Sequence, residues 1–190
     1  MNTVNLTTKR YTICIILLIF LAAGFREFNL ERMSLWGDEA CMVYLCQEPI
    51  PDIVEALASA DRPDVDVAPP LYFILLHLWM KWLGTSLWAF RGFSAMFGVL
   101  TVICIIGFAN SLFGRRISLL AGLLAAVNPF QIWYSQEGRM YSMASCLGAA
   151  ALWSVAVILK NPRKLLPWIA FGTSGLALIY TQYYGALLLT

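Results

Sequence analysis

The sequence predicts an all-α polytopic membrane protein, with a helical juxtamembrane loop inserted after its first span. Three observations predict it. Of the 190 residues, 60% are hydrophobic and only 13% charged, whereas a soluble domain is typically about one-quarter charged. A chain this short cannot hide that much apolar surface from water in a single core. The apolar residues fall into long runs separated by short charged segments. The acids are confined: ten of eleven lie between Glu27 and Asp66, and the last is Glu137.

The apolar runs predict five spans, at about 11–28, 92–113, 117–134, 141–159 and 165–187. Lys9 and Arg10 precede the first run. No small-x-small cleavage site follows it, so it reads as an uncleaved span rather than a removed signal. The run 69–83 is shorter than the ~17 residues a spanning helix needs and contains His77 and Lys81. If it crossed the bilayer, Arg115, Arg116, Lys160, Arg163 and Lys164 would lie opposite Lys9 and Arg10. If it lies at the interface, all seven cations share the cytoplasmic side, as the positive-inside rule prefers. The expectation is therefore a cytoplasmic N-terminus and an amphipathic helix over 69–83 on the outer face, anchored by Trp79 and Trp82. All eleven acids then face outward.

The outer loop, residues 29–91, reads as structured. Asp38 can cap a helix over Glu39–Gln47 by accepting backbone N–H bonds. Pro51 and Asp52 can start another over Ile53–Ser59, with Ile53, Val54 and Leu57 as its apolar stripe. Asp61–Pro70 reads as an extended connector. Gly37 and Gly138 suit tight turns. Cys41 and Cys46 share the loop, five residues apart, which is awkward for a bridge within one helix. The cysteines form no metal pattern and His77 is the single histidine, so no divalent metal is indicated. No basic cluster exceeds a loose trio, which excludes a nucleic-acid partner.

Three polar groups converge on the outer face in this topology: Asp38-Glu39, Arg91, and the run Gln136-Glu137-Gly138-Arg139-Met140-Tyr141. Taken singly, each has a bland reading. Asp38 could be only a cap, Arg91 could snorkel to lipid phosphates, and Glu137 could pair with Arg139. Jointly they suit sugar transfer from a lipid phosphate. A carboxylate can take the proton of an acceptor hydroxyl, cations can hold a phosphate leaving group, and Trp36, Trp133, Tyr134 and Tyr141 can stack on a sugar.

The ordered motifs W-x-D-E-A (Trp36–Ala40), A-P-P-L-Y (Ala68–Tyr72), G-x-S-x-W-x-x-R (Gly84–Arg91) and N-P-F-x-x-x-Y-S-Q-E-x-R-M-Y (Asn128–Tyr141) carry a resemblance. The chain resembles the GT-C membrane glycosyltransferases, specifically the protein O-mannosyltransferase and aminoarabinose-transferase-like group. The resemblance implies a polyprenyl-phosphate sugar donor, a lipid, glycan or protein acceptor, inversion at the anomeric carbon and a site on the outer face. It implies Asp38 as the base or acceptor-orienting group, with Glu39 beside it. It implies donor or substrate contacts at Trp36, Tyr72, Arg91, Gln136, Glu137, Arg139 and Tyr141. No obligatory cofactor follows, since many such enzymes need no metal although oligosaccharyltransferase relatives do. Ala68 stands where the family often has histidine, so no role passes from that histidine. Family members have more spans and often a C-terminal domain, so the chain reads as an N-terminal part, inactive alone. The competing readings are a flippase or transporter of lipid-linked sugars and a non-catalytic membrane scaffold. Transporters place charges near mid-membrane and show repeated halves. Here the charges sit at span ends and no repeat is visible.

Overall fold

A computed structural model describes residues 7–59 and 67–188. Among these residues all regular structure is helical: α1 (Thr8–Glu27), α2 (Gly37–Leu45), α3 (Ile50–Ala58), α4 (Leu71–Leu83), α5 (Leu87–Phe113), α6 (Arg115–Val127), α7 (Pro129–Gln136), α8 (Tyr141–Lys160), α9 (Leu165–Ile179) and a 3₁₀ turn, Tyr183–Leu188. Helices α1, α5 and α8 are each long and apolar enough to cross a bilayer. The protein is an integral membrane protein of all-α, polytopic type.

Side-chain contacts define two ends of the bundle. At one, the Arg115 guanidinium lies 5.4 Å from the Tyr11 ring centroid and Arg115 Nη2 donates to Thr8 Oγ1 at 3.2 Å. Tyr11 and Ser118 exchange a hydroxyl bond of 2.9 Å. The starts of α1 and α6 therefore meet beside Lys9, Arg10 and Arg116. At the other end, the Trp88 indole donates to Glu27 at 3.2 Å and the Trp88 amide to Glu31 at 3.2 Å. The chain thus leaves α1 and enters α5 at the same end, and the described residues between them, 28–59 and 67–86, form an excursion there. Gly114, at φ +84°, makes the short α5–α6 turn at the basic end, a conformation in which a Cβ would be strained.

Helix α5 is the hub, packed against α1, α4, α6, α7 and α8. In a bilayer, where lipid is as apolar as leucine, helices associate chiefly by close packing across small residues. Gly107 shows this: a Cβ there would fall 2.4–2.7 Å from the Trp153 ring of α8. Trp153 Nε1 also donates to Ser111 Oγ at 3.2 Å. A second core lies where the excursion packs on α5: Met42, Leu45, Ile53, Leu57, Tyr72, Phe73 and Leu76 are buried together with Phe90 and Phe93. Of the expected stripe of α3, Ile53 and Leu57 turn inward with Ala56, whereas Val54 is exposed.

Several elements differ from the sequence expectation. Residues 117–134 do not form one straight helix. Asn128 accepts the Gln131 N–H at 3.1 Å as an N-cap and Pro129 occupies the first helical position. That pairing starts a new helix, and α6 and α7 meet at a 54° bend. Residues 165–187 split too: α9 ends at Ile179, and its 15 residues span only about 22 Å. The Leu71 amide donates to Tyr180 O at 3.0 Å, tying the end of α9 to the start of α4. Helix α5 begins at Leu87, capped by Ser86 at 3.1 Å, so Arg91 lies a full turn inside it. Helix α3 begins at Ile50, ahead of the expected Ile53. Trp82 is exposed at 87%, whereas Trp79 turns inward, donates to Ala89 O at 2.8 Å and packs on Phe93. Most of the Asp61–Pro70 connector lies outside the described residues. Cys41 and Cys46 are both free thiols, and burial pushes the Cys46 thiol pKa up to about 12.

Gly107→Ala tests the α5–α8 contact. Overpacking against the rigid Trp153 ring should destabilise the protein by about 1–3 kcal/mol, read as a lowered Tm in detergent. An unchanged Tm would show that the two helices do not pack this closely.

Candidate functional site

The site is assembled from four pieces: the turn after α1, the start of α2, the first turns of α5 and the α7–α8 junction. Helix α2 has a stripe of Glu39, Met42, Leu45 and Cys46 on its inner side, all buried. That stripe draws one carboxylate into the protein. Glu39, with its side chain 1% exposed, faces Arg91 at 6%. Arg91 Nε donates to Glu39 Oε1 at 3.0 Å and Nη2 to Oε2 at 2.5 Å. Nη1 donates to Leu30 O and Met33 O, both at 2.8 Å, and Nη2 reaches Ser34 O at 3.3 Å. The fork geometry suits both a bidentate carboxylate and a carbonyl-rich turn. Glu39 Oε1 also accepts the Gly138 N–H at 2.9 Å. One buried pair thus joins the loop after α1, α2, α5 and the α7–α8 junction.

Asp38 behaves differently from its neighbour. It is not the cap of α2: Trp36 is the N-cap residue, without a side-chain bond, and Asp38 lies in the first helical turn. Its side chain is 47% exposed. Oδ2 accepts from Arg139 Nη1 at 3.0 Å, while Oδ1 accepts no hydrogen bond from the described residues. The Arg139 side chain is 7% exposed and its guanidinium lies 5.8 Å from the Tyr141 ring centroid. Glu137 does not pair with Arg139; it accepts from Trp133 Nε1 at 2.7 Å.

A cleft of about 710 Å³ opens at this end, within the range of small-molecule sites. Trp36, Glu39, Arg91, Gln136 and Glu137 line it, together with Arg32 and Trp133. Arg32 was not singled out from the sequence. It is exposed, and its guanidinium has no ion-pair or hydrogen-bond partner among the described residues. Its signal was its position, six residues before the Asp-Glu pair in an otherwise acidic loop.

The remaining residues fall elsewhere. Tyr72 is fully buried, and Tyr72 and Ser94 share a hydroxyl bond of 2.9 Å while Ser94 Oγ donates to Arg139 O at 3.1 Å. Burial pushes the Tyr72 phenol pKa upward, so it is a neutral brace beneath the site. Tyr141 stacks edge-on with Tyr134, centroids 5.0 Å apart, and lines a separate hollow of about 290 Å³. Gln136 lines the cleft yet spends its amide N–H groups on the end of α1. Gly37 takes no left-handed conformation. Gly138 is needed for close approach rather than a turn: a Cβ there would lie 2.0 Å from the Phe90 ring. His77 bonds Cys46 O at 2.9 Å. Among the described residues no three His, Cys, Asp or Glu side chains form a metal-binding group.

A family model described as dolichyl-phosphate-mannose-protein mannosyltransferase matches residues 67–190. The matched region holds α4 to α9, hence Arg91 and the 136–141 run, and begins after Asp38-Glu39. No curated protein and no solved structure matches the chain at a significant level.

Removing one member of the buried pair leaves the other charge without its partner, which costs about 3–5 kcal/mol. Glu39→Ala and Arg91→Ala should each lose that much stability. The double variant should lose clearly less than their sum. Thermal denaturation of all four proteins in detergent checks this; strict additivity would mean the two side chains do not interact.

Proposed function

This chain belongs to the dolichyl-phosphate-mannose-protein mannosyltransferase family, a family of GT-C glycosyltransferases, and from that premise we propose that it transfers a sugar from a polyprenyl-phosphate donor to a hydroxyl of a lipid, glycan or protein acceptor. The reaction inverts the anomeric carbon. It takes place at the acidic end of the bundle, on the outer membrane face, with the basic end in the cytoplasm.

The observation that carries this reading is the division of labour within Asp38-Glu39. Glu39 is buried and fully engaged by Arg91 and Gly138. Asp38 is half-exposed, held at one oxygen by Arg139 and open at the other. A carboxylate oriented at one oxygen can accept a proton at the second. In the proposed step the acceptor oxygen bonds to the anomeric carbon as the bond from that carbon to the phosphate oxygen breaks. The acceptor proton passes to Asp38 Oδ1, and the lipid phosphate leaves as the anion.

The phosphate contact is proposed for Arg32. Arg91, the cation suggested by the motif alone, has its Nε, Nη1 and Nη2 groups engaged by Glu39 and three carbonyls. Arg32 lies on the cleft wall with its guanidinium available. Trp36 and Trp133 are exposed on the same wall and supply flat faces for a sugar ring or the first isoprene units.

Two substitutions test the assignment in the full-length protein, reconstituted in proteoliposomes supplied with a polyprenyl-phosphate sugar, with glycosylated product followed by mass spectrometry. Asp38→Asn removes the proton acceptor and should lower the transfer rate by about 10²–10⁴-fold; undiminished transfer removes Asp38 from the mechanism. Arg32→Ala deletes a charge-assisted bond of about 1.5–3 kcal/mol. It should weaken donor use by roughly ten- to a hundredfold in kcat/KM, with acceptor KM little changed.

A further inference from the structure

Arg26 is fully buried near the end of α1, and no carboxylate engages it among the described residues. Its Nη1 donates to Ala22 O and Ala126 O, both at 3.2 Å, and its Nη2 to Ala125 O at 3.3 Å. Its Nε, also buried, has no partner. A buried guanidinium without a carboxylate is costly unless something else supplies negative potential. Here that potential comes from two helix C-termini, those of α1 and α6.

Two of the carbonyls that Arg26 binds, Ala125 O and Ala126 O, are ones the chain itself cannot satisfy. In a continuous helix Ala125 O would accept the N–H of residue 129, but residue 129 is proline and has none. Ala126 O would accept from Phe130, which the 54° bend carries away. Orphan carbonyls inside a bundle need another donor. Gln136 makes the reverse contact. Its Nε2 donates to Phe25 O at 3.1 Å, Arg26 O at 3.4 Å and Phe28 O at 3.0 Å, which are orphan carbonyls where α1 ends. Gly98 of α5 leaves the room: a Cβ there would lie 2.1 Å from Ser135 Oγ and 2.8 Å from Arg26 Nε.

We propose that Arg26 and Gln136 form a reciprocal lock, each capping the helix that carries or adjoins the other, which sets the α6–α7 bend and holds Gln136 and Glu137 in the cleft wall and Gly138 against Glu39. Arg26 is then a positioning residue. It does not itself line the cleft but anchors α7, whose end carries Gln136 and Glu137 into the wall, followed by Gly138, which holds Glu39 beside Asp38. Arg91 and Glu39 locate the site from the α2–α5 side; Arg26 locates it from the α1–α6 side. The catalytic consequence rests on the sugar-transfer reading, whereas the lock itself does not.

Two readouts on the protein in lipid nanodiscs separate these parts. The first is backbone hydrogen exchange across residues 129–139 in Arg26→Met and Arg26→Lys. Methionine keeps much of the length without donors, and lysine keeps the charge without the fork. Both should exchange at least tenfold faster there than the wild type, with α8 unchanged. The second is sugar transfer by the full-length protein from a polyprenyl-phosphate donor. A displaced reacting group costs on the order of a hundredfold in rate, so kcat should fall by about ten- to a hundredfold with donor KM within threefold, and lysine should restore part of it. Wild-type exchange at 129–139 in either folded variant overturns the lock. Faster exchange with unchanged kcat, or a loss confined to the amount of folded protein, overturns the positioning role. A full-length wild-type protein that transfers no sugar overturns the functional reading and leaves the exchange result to decide the lock. Should Arg26→Met not fold, Arg26→Lys decides both readouts.

Discussion

The Arg91–Glu39 pair is the constraint on which the acidic end of the protein depends. It is a desolvated ion pair between α2 and the first turns of α5, satisfied on nearly every donor and acceptor. Such a pair is costly to bury, and its net contribution to stability can be small. What it supplies is registration. The carbonyls of Leu30, Met33 and Ser34 hold the turn after α1 to Arg91, and the Gly138 N–H ties the α7–α8 junction to Glu39. Removing either charge would release several segments at once.

The pair also explains why two adjacent acids serve different ends. Consecutive residues of a helix point about 100° apart, so α2 can bury one carboxylate only by turning the other outward. Glu39 shares its side of the helix with Met42 and Cys46 and is drawn into the core. Asp38 is left at the surface, beside Trp36 and against Arg139. The motif thus combines a structural acid and an available one in the smallest possible spacing.

Small residues and breaks do comparable work in the apolar part. Gly98, Gly107 and Gly138 each mark a place where a neighbouring side chain occupies the volume of a Cβ. Asn128-Pro129 divides what would otherwise be one span, and the backbone groups released by that break are met by a side chain from another helix. The bend and the buried arginine are therefore one feature.

Much of this was legible without coordinates. Hydropathy and charge marked the membrane class, because the bilayer demands long apolar runs and tolerates charge only at their ends. The motifs marked the family, which the match over residues 67–190 bears out. Of the residues singled out by the sequence, Trp36, Glu39, Arg91, Gln136 and Glu137 line one cleft, whereas Asp38, Tyr72, Arg139 and Tyr141 lie outside its lining. Their tasks were not legible. A linear pattern cannot show that Arg91 is saturated, that Gln136 caps α1 or that Tyr72 is entirely buried, since each depends on partners tens of residues away. Arg32 and Arg26 were passed over for the same reason. An arginine in a polar loop and one at a span end both look like surface charges until packing leaves the first open and encloses the second. Local chemistry alone determined that this chain belongs in a membrane and which kind of enzyme it resembles. Which of its charges remain available to a substrate was decided only when distant segments competed for the same donors and acceptors.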